Sequence, residues 1–113
     1  ERARGLGDVY KRQITSLLEE VASCLKKAGV CAEVNTSGLR KPCREIYPSE
    51  QFLRILAKHG VPVTLGSDAH KPKDVARDFD KAVNLLLKVG YTEITGFKNG
   101  KPYKIPIVKG DSK

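Results

Sequence analysis

The chain contains no methionine and no tryptophan, and only three phenylalanines and four tyrosines among 113 residues. Apolar residues nevertheless make up 40% of the chain, which suffices for the core of one modest domain and excludes wholesale disorder. No stretch approaches the roughly 18 consecutive apolar residues that a membrane span requires. The first residues contain no apolar signal segment. We therefore expect a protein with no membrane partner.

Cysteine is also scarce, and its three positions do not form a recognisable frame. The number of cysteines is odd, and no two of them form a C-x-x-C pair; they are Cys24, Cys31 and Cys43. This spacing fits neither a disulfide scaffold nor a zinc knuckle. We expect reduced thiols and a cytoplasmic location.

Acidic residues are few relative to basic ones, 13 against 21, and the formal net charge is +8. Such an excess is compatible with a nucleic-acid partner, an anionic substrate or no specific partner. Residues 98–113 hold five lysines and one aspartate, and no predicted helix carries a one-sided basic stripe with interleaved aromatics. We interpret the excess as a solvated basic tail and expect no nucleic-acid partner. Nothing in the sequence indicates an oligomeric state.

Residues 1–13 are polar and lack an apolar period. Residues 8–13 (DVYKRQ) match the translation of a run found in a common transposon sequencing adaptor. We expect residues 1–13 to be adaptor-derived or disordered and not native, and residues 14–113 to form part of a single domain.

From Ile14 onward, helical and strand patterns alternate. The apolar spacing predicts a helix from Ile14 to Gly29, a second helix capped by Ser49 and ending near His59, and a third between residues 73 and 89. Short buried strands are predicted at 30–34 and 61–65, with a loop at 39–48. A weaker strand is predicted at 91–97, followed by an Asn99-Gly100 turn and a last strand or extended arm at 103–108. This order predicts an α/β fold with a parallel sheet covered by helices.

Polar side chains follow the first two predicted strands, where the functional residues of parallel α/β folds gather. Asp68 and His70 are two residues apart, so in extended backbone they share a side and can bind a divalent metal. The alternative is that Asp68 caps the next helix and His70 is an ordinary turn residue. Glu33 and Asn35 also share a face, where hydrogen bonds that pin the following loop are expected. Arg40 can bind a phosphate through its guanidinium, or belong to a solvated basic loop.

Three segments together resemble a known family. They are EVNTSGLRKP at 33–42, E-x-YPS at 45–49 and GSDAHKP-x-DV at 66–75. They are similar to the histidinol-phosphate phosphatases of the polymerase-and-histidinol-phosphatase (PHP) superfamily, and the similarity runs over residues 25–106. The GSDAH segment marks the superfamily, whereas the other two narrow the resemblance to the phosphatase branch.

The resemblance implies a distorted (β/α)7 PHP barrel, of which this chain is the C-terminal portion, with parallel strands and covering helices. It implies up to three divalent metal ions (zinc, manganese or iron), with Asp68 and His70 among the ligands. It also makes Arg40 a candidate for the substrate phosphate and Asn35 a candidate for contact with the substrate or its neighbours, while Glu33 is expected to be structural. The implied reaction is hydrolysis of histidinol phosphate, a step of histidine biosynthesis.

The chain departs from the family pattern in its metal ligands. The H-x-H pair and the other ligands of the family are absent, and His59 and His70 are the two histidines of the sequence. We therefore expect a truncated enzyme, inactive alone. Alternatives are another PHP phosphoesterase and a non-catalytic PHP-type module associated with a DNA polymerase.

Overall fold

The computed structural model describes residues 2–40, 44–66 and 78–108, with side chains from residue 7 onward and without that of Arg40. Its described part contains three α-helices, one short 3-10 helix and four β-strands. In chain order they are α1 (Arg2–Ala28), β1 (Ala32–Asn35), the 3-10 helix (Ser37–Arg40), α2 (Glu50–Lys58), β2 (Val63–Gly66), α3 (Phe79–Val89), β3 (Glu93–Lys98) and β4 (Lys101–Pro106).

A parallel pair of strands carries the polar segments identified in the sequence. β1 pairs with β2 in parallel register, from Ala32 opposite Val63 to Asn35 opposite Gly66. α2 connects the two strands and contacts both α1 and α3. The predicted α/β architecture with a small parallel sheet is confirmed for this part of the chain.

The hydrophobic core lies between this sheet and the helices. Val34 of β1 and Val63 of β2 are almost fully buried, and they pack against side chains from all three helices. Because alternate strand residues face opposite sides, the neighbours of Val34 in the sequence lie on the other face, and Glu33 is exposed there. The strand at 30–34 was expected to be buried, yet Glu33 of β1 is exposed. Among the described side chains, the buried hydrophobic residues are Ala22, Val34, Leu53, Ile55, Leu56, Val61, Val63, Ala82, Leu86 and Val89.

The turn predicted between the last two segments is confirmed, whereas their antiparallel pairing differs from the parallel sheet predicted for the chain. β3 and β4 form an antiparallel hairpin, from Glu93 opposite Pro106 to Lys98 opposite Lys101. Asn99 and Gly100 have φ values of 52° and 75°, the positive values that a two-residue hairpin turn of type I′ requires. Such a tight turn reverses the chain, whereas a parallel pairing needs a long crossover. Lys98, Lys101 and Lys104 therefore lie on an ordered hairpin.

The first helix is longer than the sequence predicts, and part of its apolar face is exposed. α1 begins at Arg2, upstream of the predicted start at Ile14, so residues 2–13 are part of this helix. The sequence has no proline in this stretch to stop the helix. Ala22 is buried, while the Ile14 and Leu17 side chains are 52% and 59% exposed. The adaptor origin of residues 1–13 stays a prediction.

Two sequence expectations concern thiols and membrane contact. Cys24 and Cys31 are free thiols, and burial raises the pKa of the Cys31 thiol. Cys43 lies outside the described residues. Across the described ranges, no helix has the length and apolar character needed to cross a membrane.

Candidate functional site

The polar face of the β1–β2 pair forms the base of the candidate site. Register places Glu33 beside Thr64 and Asn35 beside Gly66 on the side opposite the helices. The alternation of apolar and polar residues in β1 produces this arrangement, because Val34 is drawn into the core. The carboxyl ends of two parallel strands, with their polar side chains, thus meet at one edge of the sheet.

The side-chain amide of Asn35 is held at both ends. Its Nδ2 donates a hydrogen bond of 2.9 Å to Glu33 Oε1, and its Oδ1 accepts one of 2.8 Å from the backbone N–H of Ser37. A carboxylate can only accept and a backbone N–H can only donate, so the two partners define the orientation of the amide. The predicted role of Glu33 and Asn35 in pinning the following loop matches these contacts.

The backbone of Asn35 is also paired. Its N–H donates to the carbonyl oxygen of Tyr47 at 2.7 Å, and the N–H of Tyr47 donates back at 3.1 Å. Residues 39–48 were expected to form a loop only, and Tyr47 instead forms an isolated antiparallel bridge to β1. This bridge brings the Y-P-S segment against the end of β1. The sequence feature at this position is the Y-P-S segment, whose residue types do not indicate the strand with which Tyr47 pairs.

A close contact between Glu33 and Gly66 joins the two strand ends. A Cβ atom at Gly66 would collide with Glu33 Oε1 and would lie 2.7 Å from the carboxyl carbon. Gly66 thus leaves room for the carboxylate to lie over the end of β2. Spacing placed Glu33 and Asn35 on one face, but nothing in the spacing relates Glu33 to a residue 33 positions later.

The 3-10 helix follows directly from these contacts. The buried Thr36 donates its backbone N–H to Gly66 O at 2.9 Å and accepts one from Leu39 at 3.0 Å. Gly38 faces the Tyr47 ring, where a Cβ atom would lie 2.9 Å from a ring carbon. The turn therefore packs tightly against the Y-P-S segment. Arg40, the predicted phosphate-binding residue, is the last residue of this 3-10 helix. Its backbone therefore lies close in sequence to the end of β1.

The predicted metal ligands Asp68 and His70 lie outside the described residues. They follow Gly66, the last residue of β2, by two and four positions in the sequence. Among the residues that the structure does describe, no group of three or more His, Cys, Asp and Glu side chains is placed to hold a metal. The carboxylate and imidazole of Asp68 and His70 are the donor types that zinc, manganese and iron accept, so this chemistry fits a divalent metal.

Comparison with known proteins identifies relatives that are named histidinol-phosphatases. No protein-family model matches the chain. It is 42% identical over 67 residues to a protein of Deinococcus radiodurans named probable histidinol-phosphatase, covering 59% of this chain and 26% of that protein. It is 27% identical over 104 residues to a probable histidinol-phosphatase of Schizosaccharomyces pombe, covering 90% of this chain and 34% of the relative.

A third relative agrees with these two. The histidinol-phosphatase of Saccharomyces cerevisiae is 37% identical over 62 residues, which are 54% of this chain and 18% of that enzyme. The chain thus spans between 18% and 34% of the length of these curated relatives. The resemblance inferred from the three sequence segments is confirmed: the chain is related in sequence to histidinol-phosphatases.

Proposed function

We propose that this chain contributes part of the active-site edge of a metal-dependent phosphomonoesterase that hydrolyses histidinol phosphate to histidinol and phosphate. The observation that carries the proposal is the 42% identity over 67 residues to a probable histidinol-phosphatase. The polar edge at the carboxyl ends of β1 and β2 supports it, because parallel α/β enzymes build their sites there.

Each site residue has a proposed role. Arg40 binds the phosphate of the substrate, since a guanidinium can form two parallel hydrogen bonds with phosphate oxygens. Asn35 shapes the turn that leads to Arg40 through its bonds to Glu33 and Ser37. Asp68 and His70 would hold a divalent metal. When bound, the metal would neutralise phosphoryl charge and lower the pKa of a coordinated water.

The proposal extends to the whole fold and to the isolated chain. We propose that the β1–α2–β2 unit belongs to a larger PHP barrel, because two-stranded sheets rarely persist alone and Glu33, on the side of this pair opposite the helices, is exposed. Asp68 and His70 are two ligands, too few for a cluster of up to three metals. The isolated chain is therefore expected to release no phosphate from histidinol phosphate.

A graft into a complete relative tests the function. Residues 25–106 replace the corresponding segment of the S. pombe relative, to which the chain is similar over 104 residues, and phosphate release from histidinol phosphate is measured with and without a chelator. We expect activity that the chelator removes, and a loss of about 100-fold or more in Asp68→Asn and His70→Asn variants. Asp80→Asn, at an exposed position of α3, is the control and should keep the activity of the graft.

Three results would contradict parts of this proposal. A folded graft that hydrolyses another phosphate ester in preference would favour a different PHP phosphoesterase. A folded graft that hydrolyses no ester would favour a non-catalytic module. Metal-dependent phosphate release by the isolated 113-residue chain would contradict its expected inactivity.

A further inference from the structure

Glu33 was expected to be a structural residue, and its carboxylate lies between two features of the candidate site. It accepts the hydrogen bond from Asn35 Nδ2 and lies against the backbone of Gly66. We propose that Glu33 is a positioning residue that, together with Gly66, sets the Asn35 amide and the 3-10 helix leading to Arg40. This inference rests on the proposed function, because it gives that turn its substrate-binding role.

The hydrogen-bond half of the proposal concerns the direction of the Asn35 amide. With Glu33 accepting from Nδ2, the carbonyl oxygen of the amide is directed at the backbone N–H of Ser37, 2.8 Å away. Ser37 is the first residue of the 3-10 helix and is almost fully buried. Without the acceptor at position 33, the amide loses one of the two partners that define its orientation. The Ser37 N–H then loses part of its protection.

The steric half concerns Gly66. The atoms nearest to a Cβ at this position belong to the end of the Glu33 side chain, which can rotate away. Alanine at position 66 should therefore be accommodated by moving the carboxylate, at little cost to the fold. That movement separates Glu33 from Asn35. Gly66→Ala should thus reproduce the effect of Glu33→Ala although position 66 makes no side-chain hydrogen bond.

Amide hydrogen exchange of the 113-residue chain, followed by NMR, tests both halves. We expect the Ser37 N–H to exchange about tenfold faster in Glu33→Ala and in Gly66→Ala than in the parent chain. Glu33→Gln keeps an acceptor oxygen at the same reach and should restore exchange to within about twofold of the parent rate. Glu20→Ala, at an exposed position of α1, is the control for removal of a carboxylate.

The N–H of Leu56, in the buried part of α2, reports global opening in the same spectra. Unchanged Ser37 exchange in Glu33→Ala would overturn the proposal, and so would equal acceleration at Ser37 and Leu56. Failure of Glu33→Gln to restore protection would overturn it as well.

The double variant Glu33→Ala/Gly66→Ala should be no faster at Ser37 than either single variant, and additive effects would contradict the shared mechanism. Because exchange is independent of phosphate release, a graft without activity would count against the proposed function alone.

Discussion

The phenol of Tyr91 donates a hydrogen bond of 2.6 Å to the carbonyl oxygen of Val61. Tyr91 lies between α3 and β3, and Val61 lies between α2 and β2, so one side chain links two connections that are 30 residues apart. Val61 is fully buried. The bond therefore satisfies a carbonyl at the end of the sheet opposite to the candidate site.

Replacement of Tyr91 by phenylalanine should destabilise the fold by about 1 kcal/mol, because the Val61 carbonyl loses its partner while the ring is kept. Urea unfolding at neutral pH measures this difference. Tyr103→Phe is the matched control, since Tyr103 is an exposed tyrosine on the β3–β4 hairpin. Equal midpoints for the parent chain and Tyr91→Phe would show that the bond contributes nothing.

The same tyrosine predicts a pH dependence in alkali. Burial, and then the nearby Cys31 thiolate, raise the pKa of Tyr91 from 10.0 to about 12. Above pH 10 the unfolded chain loses the phenolic proton while the folded chain keeps it, so stability falls as the pH rises from 10 to about 12. Tyr91→Phe lacks this proton and should show a smaller loss over that range. A parallel decline of both proteins would contradict the prediction.

Glu19 of α1 predicts a pH dependence in acid. It pairs with Lys58 at 2.7 Å and with His59 at 2.5 Å, and the Glu19 and His59 side chains are 28% and 26% exposed. Hydrogen bonds from Lys58 first, and then from His59, lower the pKa of this carboxyl from 4.5. Its contribution to stability should therefore be complete above pH 4.5 and be lost as the pH falls through the lowered pKa.

The measurement for Glu19 is the unfolding midpoint of Glu19→Gln relative to the parent chain. We expect the variant to be less stable at neutral pH and equally stable once the carboxyl of the parent is protonated. Glu20→Gln changes the adjacent, exposed carboxylate of α1 and should show no such convergence. A constant difference between Glu19→Gln and the parent across the acid range would contradict the assignment.

The hydrogen bond of Ser49 at the start of α2 predicts how much this helix cap stabilises the fold. Its Oγ accepts a hydrogen bond of 3.3 Å from the backbone N–H of Phe52, at the start of α2. Ser49→Ala should lower the free energy of unfolding by about 1 kcal/mol, because a terminal N–H of the helix loses its acceptor. Ser16→Ala, at an exposed position inside α1, controls for the substitution itself and should leave the midpoint unchanged or raise it.

The buried position of Leu56 predicts how much stability the fold loses when a cavity is created there. Its side chain is fully buried in the cluster that joins α2 to β1 and β2. Leu56→Ala should destabilise the chain by about 2–5 kcal/mol, because the removed part of the leucine side chain leaves a cavity that the surrounding residues fill only partly. Leu87→Ala, at a partly exposed position of α3, should cost clearly less in the same thermal-unfolding measurement. Equal costs would contradict the placement of the core.

Local features of the chain were predictable because they depend on nearest neighbours along the sequence. Ser49 was expected to cap α2, and its side chain does so. The alternation around Val34 placed Glu33 and Asn35 on one face, as the structure confirms. The resemblance carried by the segments at 33–42, 45–49 and 66–75 is likewise a property of the order of residues, and it agrees with the named relatives.

Features that join distant parts of the chain were not predictable in the same way. The apolar period of α1 includes Ile14 and Leu17, yet packing against α2 buries Ala22 and leaves those two exposed. The period identifies a broad apolar arc, whereas the position of the neighbouring helix selects which part is covered. The bridge from Asn35 to Tyr47 also depends on a partner that periodicity does not specify.

The candidate site divides along the same line. Residue types and their order alone identify the carboxylate, amide, guanidinium and imidazole groups and relate them to histidinol-phosphatases. The contact of Glu33 with Gly66 arises only when β1 and β2 lie side by side in register, because it joins residues that are remote in the chain. Chemistry at this edge is thus encoded in composition and local order, while its geometry depends on the parallel pairing that the hydrophobic core holds in place.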